Sequence, residues 1–141
     1  MSTFRTSREL KATPEAVFEA IRDPVRLARW WGPKGFTNTF ETFEFRPGGS
    51  WVFTMQGPDG KDYPNRSEFL EIVPHTLVKL RHVVPPKFEL TLALTPCPGG
   101  TQVDWTQAFE DPAVAARVRT IVVPANEENL DRLATEVEDV L

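Results

Sequence analysis

The chain has 141 residues, 40% of them hydrophobic and 26% charged, with a formal net charge of -4. Such a length and composition give one folded domain with its own buried core and argue against disorder. The acidic balance, without any run of like charges, lacks the electrostatic footprint of nucleic-acid binding or of attachment to an anionic membrane surface. No stretch approaches the roughly 18 apolar residues of a membrane span, and the N-terminus carries no apolar signal region. The single Cys97, set between Pro96 and Pro98, forms no intramolecular disulfide and fits a reducing compartment, so a cytoplasmic protein is expected.

In chain order, Thr3 to Lys11 reads as an edge strand. Thr13 then offers an N-cap with Pro14 at the first helical position, and Val17, Phe18 and Ile21 share one helical face. Asp23-Pro24 ends that helix and begins a second, which holds Val25, Leu27, Ala28, Trp30 and Trp31 until Gly32-Pro33-Lys34-Gly35 breaks it. Phe36 to Arg46 is a long strand whose alternation slips, because Phe36 and Phe40 are out of phase with Phe43 and Phe45. A bulge near Glu41 or Thr42 reconciles them.

Pro47-Gly48-Gly49 and Pro58-Asp59-Gly60 are turn signals that bracket a short strand on which Trp51, Phe53 and Met55 share one face. Three further segments come next: Tyr63 to Val73, Thr76 to Val84, and Phe88 to Thr95. In the last of these, Phe88, Leu90, Leu92 and Leu94 form the apolar phase. Thr101 to Glu110 places Val103, Trp105, Gln107 and Phe109 on one side, and these successive strands, each closed by a turn signal, make an antiparallel meander. Asp111-Pro112 caps a final helix, with Val114, Val118, Ile121 and Val122 at helical spacing. The helix either kinks or restarts at Pro124, and Leu130, Leu133, Val137 and then Val140 or Leu141 continue the stripe. The expected architecture is α+β: a curved antiparallel sheet of six to seven strands, two short helices, and a long C-terminal helix across the apolar face.

Polar residues in the apolar phase are the candidates for chemistry. His82 shares its phase with Val78 and Leu80; either it is a hydrogen-bonded structural histidine or it orients a ligand or moves a proton. Gln107, between Trp105 and Phe109, needs a partner if buried, whether a ligand or a neighbouring strand. Asn126 and Asn129 either bind a ligand or serve as caps and surface residues. Tyr63, the only tyrosine, stands where its hydroxyl would reach a pocket mouth. Trp51, Phe53, Met55, Phe88, Leu90, Trp105 and Leu133 either fill a solid core or line a cavity, and pattern alone does not separate the two. Trp30 and Trp31 either anchor the short helices or gate the entrance.

Two histidines and one cysteine do not make a transition-metal site of the usual ligands, the carboxylates show no paired acid and base, and no glycine loop opens a helix to cradle a phosphate. No cofactor and no metal are expected.

Four motifs carry a family resemblance: Thr13-Pro14-Glu15-Ala16-Val17-Phe18, Trp30-Trp31-Gly32-Pro33, Phe45-Arg46-Pro47-Gly48-Gly49-Ser50-Trp51 and Gly57-Pro58-Asp59-Gly60. Together they resemble the START/Bet v 1-like (SRPBCC) superfamily, in the branch similar to the C-terminal domain of the activator of the heat-shock protein 90 ATPase, over roughly Phe4 to Leu133. The resemblance implies a helix-grip fold with an elongated cavity between the last helix and the sheet. By tipping the aromatic faces toward a cavity, it turns the residues singled out by phase and position into a candidate ligand-binding set: Trp51, Phe53, Met55, Tyr63, His82, Phe88, Leu90, Trp105, Gln107, Asn129 and Leu133.

The chain departs from many relatives in having Val122-Val123-Pro124-Ala125-Asn126 where they carry a Gly-Trp pair, so the pocket floor need not match theirs. The full-length eukaryotic activator also has a separate N-terminal domain that contacts the chaperone; this chain has no room for one, which weakens a co-chaperone role. The expected function is the binding of a small apolar or aromatic molecule. A cyclase- or hydrolase-type enzyme using the same cavity and a chaperone-regulating module are the alternatives, and a homodimer is left open.

Overall fold

The computed structural model describes residues 2–138 of the chain. Strand β1 (Thr3–Leu10) is followed by two short helices, α1 (Pro14–Arg22) and α2 (Pro24–Trp30). Each helix starts where the sequence supplies both a cap and a proline. The Thr13 hydroxyl accepts from the Ala16 N–H at 3.1 Å, and Asp23 Oδ1 accepts from the Val25 N–H at 3.0 Å.

The meander continues as β2 (Thr37–Phe43), β3 (Ser50–Gln56), β4 (Asp62–Val73), β5 (Leu77–His82), β6 (Phe88–Cys97) and β7 (Gly100–Phe109), and the chain closes with α3 (Pro112–Glu138). All pairings are antiparallel, in the order β1-β7-β6-β5-β4-β3-β2, so β1 and β2 form the two edges of one sheet. The expected bulge in β2 lies between Phe40 and Thr42. A second one, between Phe69 and Glu71 in β4, has the same cause: Phe69 and Ile72 both turn inward although they stand three positions apart.

The turn at Pro47-Gly48-Gly49 is folded onto β4. Gly48 has φ 82° and donates to the Phe69 carbonyl at 2.8 Å, while a Cβ on Gly49 would collide with the Glu44 carbonyl. Glycine is obligatory at Gly49 for lack of space.

Helix α3 runs through Pro124 without a break. Its two halves differ. Between Pro112 and Ala125 only Ala115 is buried, whereas Asn126, Asn129, Leu130, Leu133 and Val137 are all buried. Among the described residues, the side-chain ties between α3 and other elements fall at Asn126 or beyond. Arg8 pairs with Glu127 at 3.1 Å and Asp131 at 2.7 Å, Arg26 pairs with Glu136 at 2.9 Å, and the Lys11 N–H donates to Glu138 at 2.8 Å. The continuation of the apolar stripe to Val140 or Leu141 lies outside the described residues.

The core occupies the concave side of the sheet. Val17, Ala20 and Ile21 of α1, Leu27 and Trp30 of α2, and Leu130, Leu133 and Val137 of α3 pack with Trp51, Phe53, Phe69, Val78, Leu80, Leu90, Leu92, Val103 and Trp105 of the sheet. Both short helices thus lie under the curve beside the C-terminal half of α3 and fill that end of it.

Candidate functional site

Where α1 and α2 no longer reach, the space under α3 stays open. A pocket of about 150 Å³ lies between the exposed half of α3 and the sheet. One wall is the sheet, through Met55, Phe88, Leu90, Trp105 and Gln107. The opposite wall is α3, through Ile121, Val122, Ala125, Asn126 and Asn129, and Trp31, Gly32 and Pro33 of the α2–β2 loop form the rim.

The expected site residues therefore separate into groups. Met55, Phe88, Leu90, Trp105, Gln107 and Asn129 come together at the pocket. Trp51, Phe53 and Leu133 do not line it and instead fill the core: Trp51 stacks on Phe53 at 4.3 Å between ring centroids, and Leu133 is wholly buried. Tyr63 is elsewhere altogether. Its hydroxyl donates to Asp59 Oδ2 at 3.2 Å within its own hairpin and its ring leans on Phe36, because the tight Gly57–Lys61 turn directs it outward.

His82 points to the concave side, as its phase requires, and is buried. Its Nδ1 lies 2.8 Å from the Pro86 carbonyl, which can only accept, so Nδ1 carries a proton; Nε2, the acceptor of the neutral ring, lies 2.9 Å from the Asn65 carboxamide and is paired when the N–H₂ end of that group faces it. Both ring nitrogens are engaged, and the ring stacks on Phe88 at 4.8 Å. Burial pulls the His82 pKa below the ordinary histidine value, against the opposing pull of the backbone at Pro86 and Val84. His82 supports a wall of the pocket from behind.

The two asparagines behave differently. Asn129 commits its carboxamide to backbone: Nδ2 donates to the Trp30 carbonyl at 3.0 Å and Oδ1 accepts from the Gly32 N–H at 3.2 Å. Asn126 instead turns to the sheet and donates from Nδ2 to Gln107 Oε1 at 3.1 Å. With Asn129 tied to backbone, the Asn126–Gln107 pair is the polar feature of the lining that keeps unused hydrogen-bonding groups.

The loop rim is held firmly. Arg132 donates to the carbonyls of Trp31 (3.1 Å), Gly32 (2.9 Å), Pro33 (2.9 Å), Arg29 (2.6 Å) and Phe36 (3.0 Å), and the Lys34 N–H donates to Glu128 at 3.1 Å. Gly32, at φ +96°, lets the loop pass Met55. Trp30 anchors, its indole N–H donating to the Ala20 carbonyl at 2.9 Å, while Trp31 lines the pocket and touches Trp51 and Trp105 at ring separations of 4.9 and 5.8 Å.

Ile121, Val122 and Ala125 are legible from sequence only as helix residues, since their place at the pocket depends on how α3 is rotated. No titratable side chain among the described residues lines the pocket. Among the described residues no group of three or more His, Cys, Asp or Glu side chains is arranged to hold a metal, and no helix is long and apolar enough to cross a membrane.

The family model described as "Activator of Hsp90 ATPase homolog 1-like protein" matches residues 11–138. Among solved structures, the chain resembles a protein from Chromobacterium violaceum at 26% identity, covering 97% of each chain with a TM-score of 0.86. It also resembles the AHSA1 protein from Silicibacter pomeroyi (21% identity, 96% of this chain and 97% of that one, TM-score 0.77). A third likeness is to an AHSA1-like protein from Aeromonas hydrophila (21% identity, 97% of this chain and 92% of that one, TM-score 0.79). The last two, at this identity, speak for a shared fold. No curated protein matches the chain closely enough to count as a relative.

Proposed function

Since the chain belongs to the Activator of Hsp90 ATPase homolog 1-like family and has its helix-grip fold, we propose that it is a cytoplasmic binding protein for a small apolar or aromatic molecule, held between the sheet and α3. One observation carries this reading. The core is filled at one end of the concave face, while at the other Trp31, Phe88 and Trp105 line a space of about 150 Å³ that no side chain occupies. An apolar pocket of this order suits a molecule about the size of benzene, so a ring-sized ligand is the natural first candidate. The absence of a titratable group in the lining favours binding over acid-base turnover.

The test is a fragment screen of ring-sized compounds by nuclear magnetic resonance, read at the indole N–H signals of Trp31 and Trp105, for the natural chain and for Ala125→Phe. Ala125 lines the pocket from the lightly anchored half of α3, so the larger ring is expected to fill the space and abolish binding while the fold persists. If no ring-sized compound moves either indole signal, the reading fails.

A further inference from the structure

The polar groups at this pocket carry more than its size does. Building on the ligand-binding reading, on which this step rests, we propose that the ligand is a neutral, single-ring aromatic molecule bearing a hydrogen-bond acceptor such as a carbonyl oxygen. Gln107, only 8% exposed, accepts from Asn126 through Oε1, and among the described residues its amide nitrogen donates to nothing. Turning both carboxamides over preserves the bond between them and moves the free N–H₂ group to Asn126. In either orientation the pair offers an unused donor, with an unused carboxamide oxygen beside it. Trp105, in the same wall, presents its ring to the pocket, while its indole N–H is shut off from it. A ligand entering the pocket strips water from the carboxamide donor, and leaving a desolvated donor unmet is costly. An acceptor on the ligand answers that deficit.

Charge is a second filter. The Arg132 guanidinium at the rim is committed to backbone carbonyls, and among the described residues no cationic side chain lines the space. A carboxylate entering it would lose its hydration without gaining a counter-ion. The pocket therefore selects for polarity without charge.

Three planar probes of nearly the same shape separate these demands: acetophenone, α-methylstyrene, which replaces the carbonyl oxygen by a methylene, and benzoate. Titration of the natural chain, followed at the Gln107 and Trp105 side-chain N–H signals, is expected to show acetophenone binding about tenfold more tightly than α-methylstyrene, the worth of one hydrogen bond, with benzoate weakest. In Gln107→Leu, checked for folding by its amide spectrum, that preference is expected to shrink; the N–H shifts in the natural chain test the same point without any substitution. Equal affinities for acetophenone and α-methylstyrene would overturn this inference and leave the ligand-binding reading standing. Benzoate binding most tightly would also overturn it, whereas no binding by any of the three, together with an empty fragment screen, would remove both.

Discussion

Asn129 of α3 and Gly32 of the α2–β2 loop are joined by a hydrogen bond, Oδ1 accepting the Gly32 N–H at 3.2 Å, while the other end of the same carboxamide holds the Trp30 carbonyl. A side chain that sequence marks as a candidate ligand contact is thus an internal clasp. Asn129→Leu is expected to lower stability by about 1–3 kcal/mol, the cost of stranding buried backbone groups. Asn129→Asp keeps the acceptor for Gly32 but faces the Trp30 carbonyl with oxygen, and should be destabilised as well. Denaturant unfolding at neutral pH checks both.

Arg132 holds the same loop from its outer side. Hydrogen bonds to a charged group are worth about 1.5–3 kcal/mol, so Arg132→Met is expected to cost about 2 kcal/mol or more and to speed amide hydrogen exchange in the loop. Arg132→Lys keeps a charge but loses the planar fork that reaches several carbonyls at once, and should fall between the two.

Gly32→Ala combines two penalties. At φ +96° a Cβ is strained, and it would stand 2.6 Å from the Met55 methyl. That methyl ends a flexible side chain and can give way, whereas the backbone cannot. The substitution is expected to cost about 1–2 kcal/mol, the usual penalty of a left-handed residue, and Met55→Ala in the same chain is expected to recover little of it. A double-mutant cycle measures the coupling.

His82 predicts a pH dependence. Burial holds its folded-state pKa below the ordinary histidine value, so the unfolded chain binds the proton more tightly. Stability from this group is present above the unfolded value and is lost as pH falls past it toward and through the folded one. Melting temperature is expected to drop on acidification below about pH 6.5, and the difference between the natural chain and His82→Gln is expected to narrow there. A difference that stays constant on further acidification would contradict the assignment.

Pro124 removes one intrahelical hydrogen bond at the junction between the anchored and unanchored halves of α3. Pro124→Ala is expected to stabilise the helix by as much as about 3 kcal/mol and to raise amide protection on its N-terminal side. Hydrogen exchange gives the direct reading.

The hairpin succession from β2 to β7, the caps at Thr13 and Asp23 and the β2 bulge are readable from sequence because each depends on near neighbours, whereas the pairing of β1 with β7, Thr3 opposite Ala108, spans the chain and is not. The inward phase of His82 and Gln107 is readable for the same reason. Pattern does not supply the division of the concave face between core and pocket. Trp51 and Met55 share one face of β3, yet one is packed in the core and the other borders open space, because α1 and α2 stop between them. Tyr63 departs from its expected place because the side-chain direction at the end of a tight turn is set by the turn, and Arg132 carries no periodic signal at all.

The unequal anchoring of α3 separates two properties that most folds entangle. Residues from Asn126 onward hold the molecule together, while Ile121, Val122 and Ala125 shape the pocket and support little else. Changes of ligand preference can accumulate in that short segment at little cost to folding. A combinatorial library restricted to those positions would explore new specificities while leaving the clasp, the loop and the sheet intact.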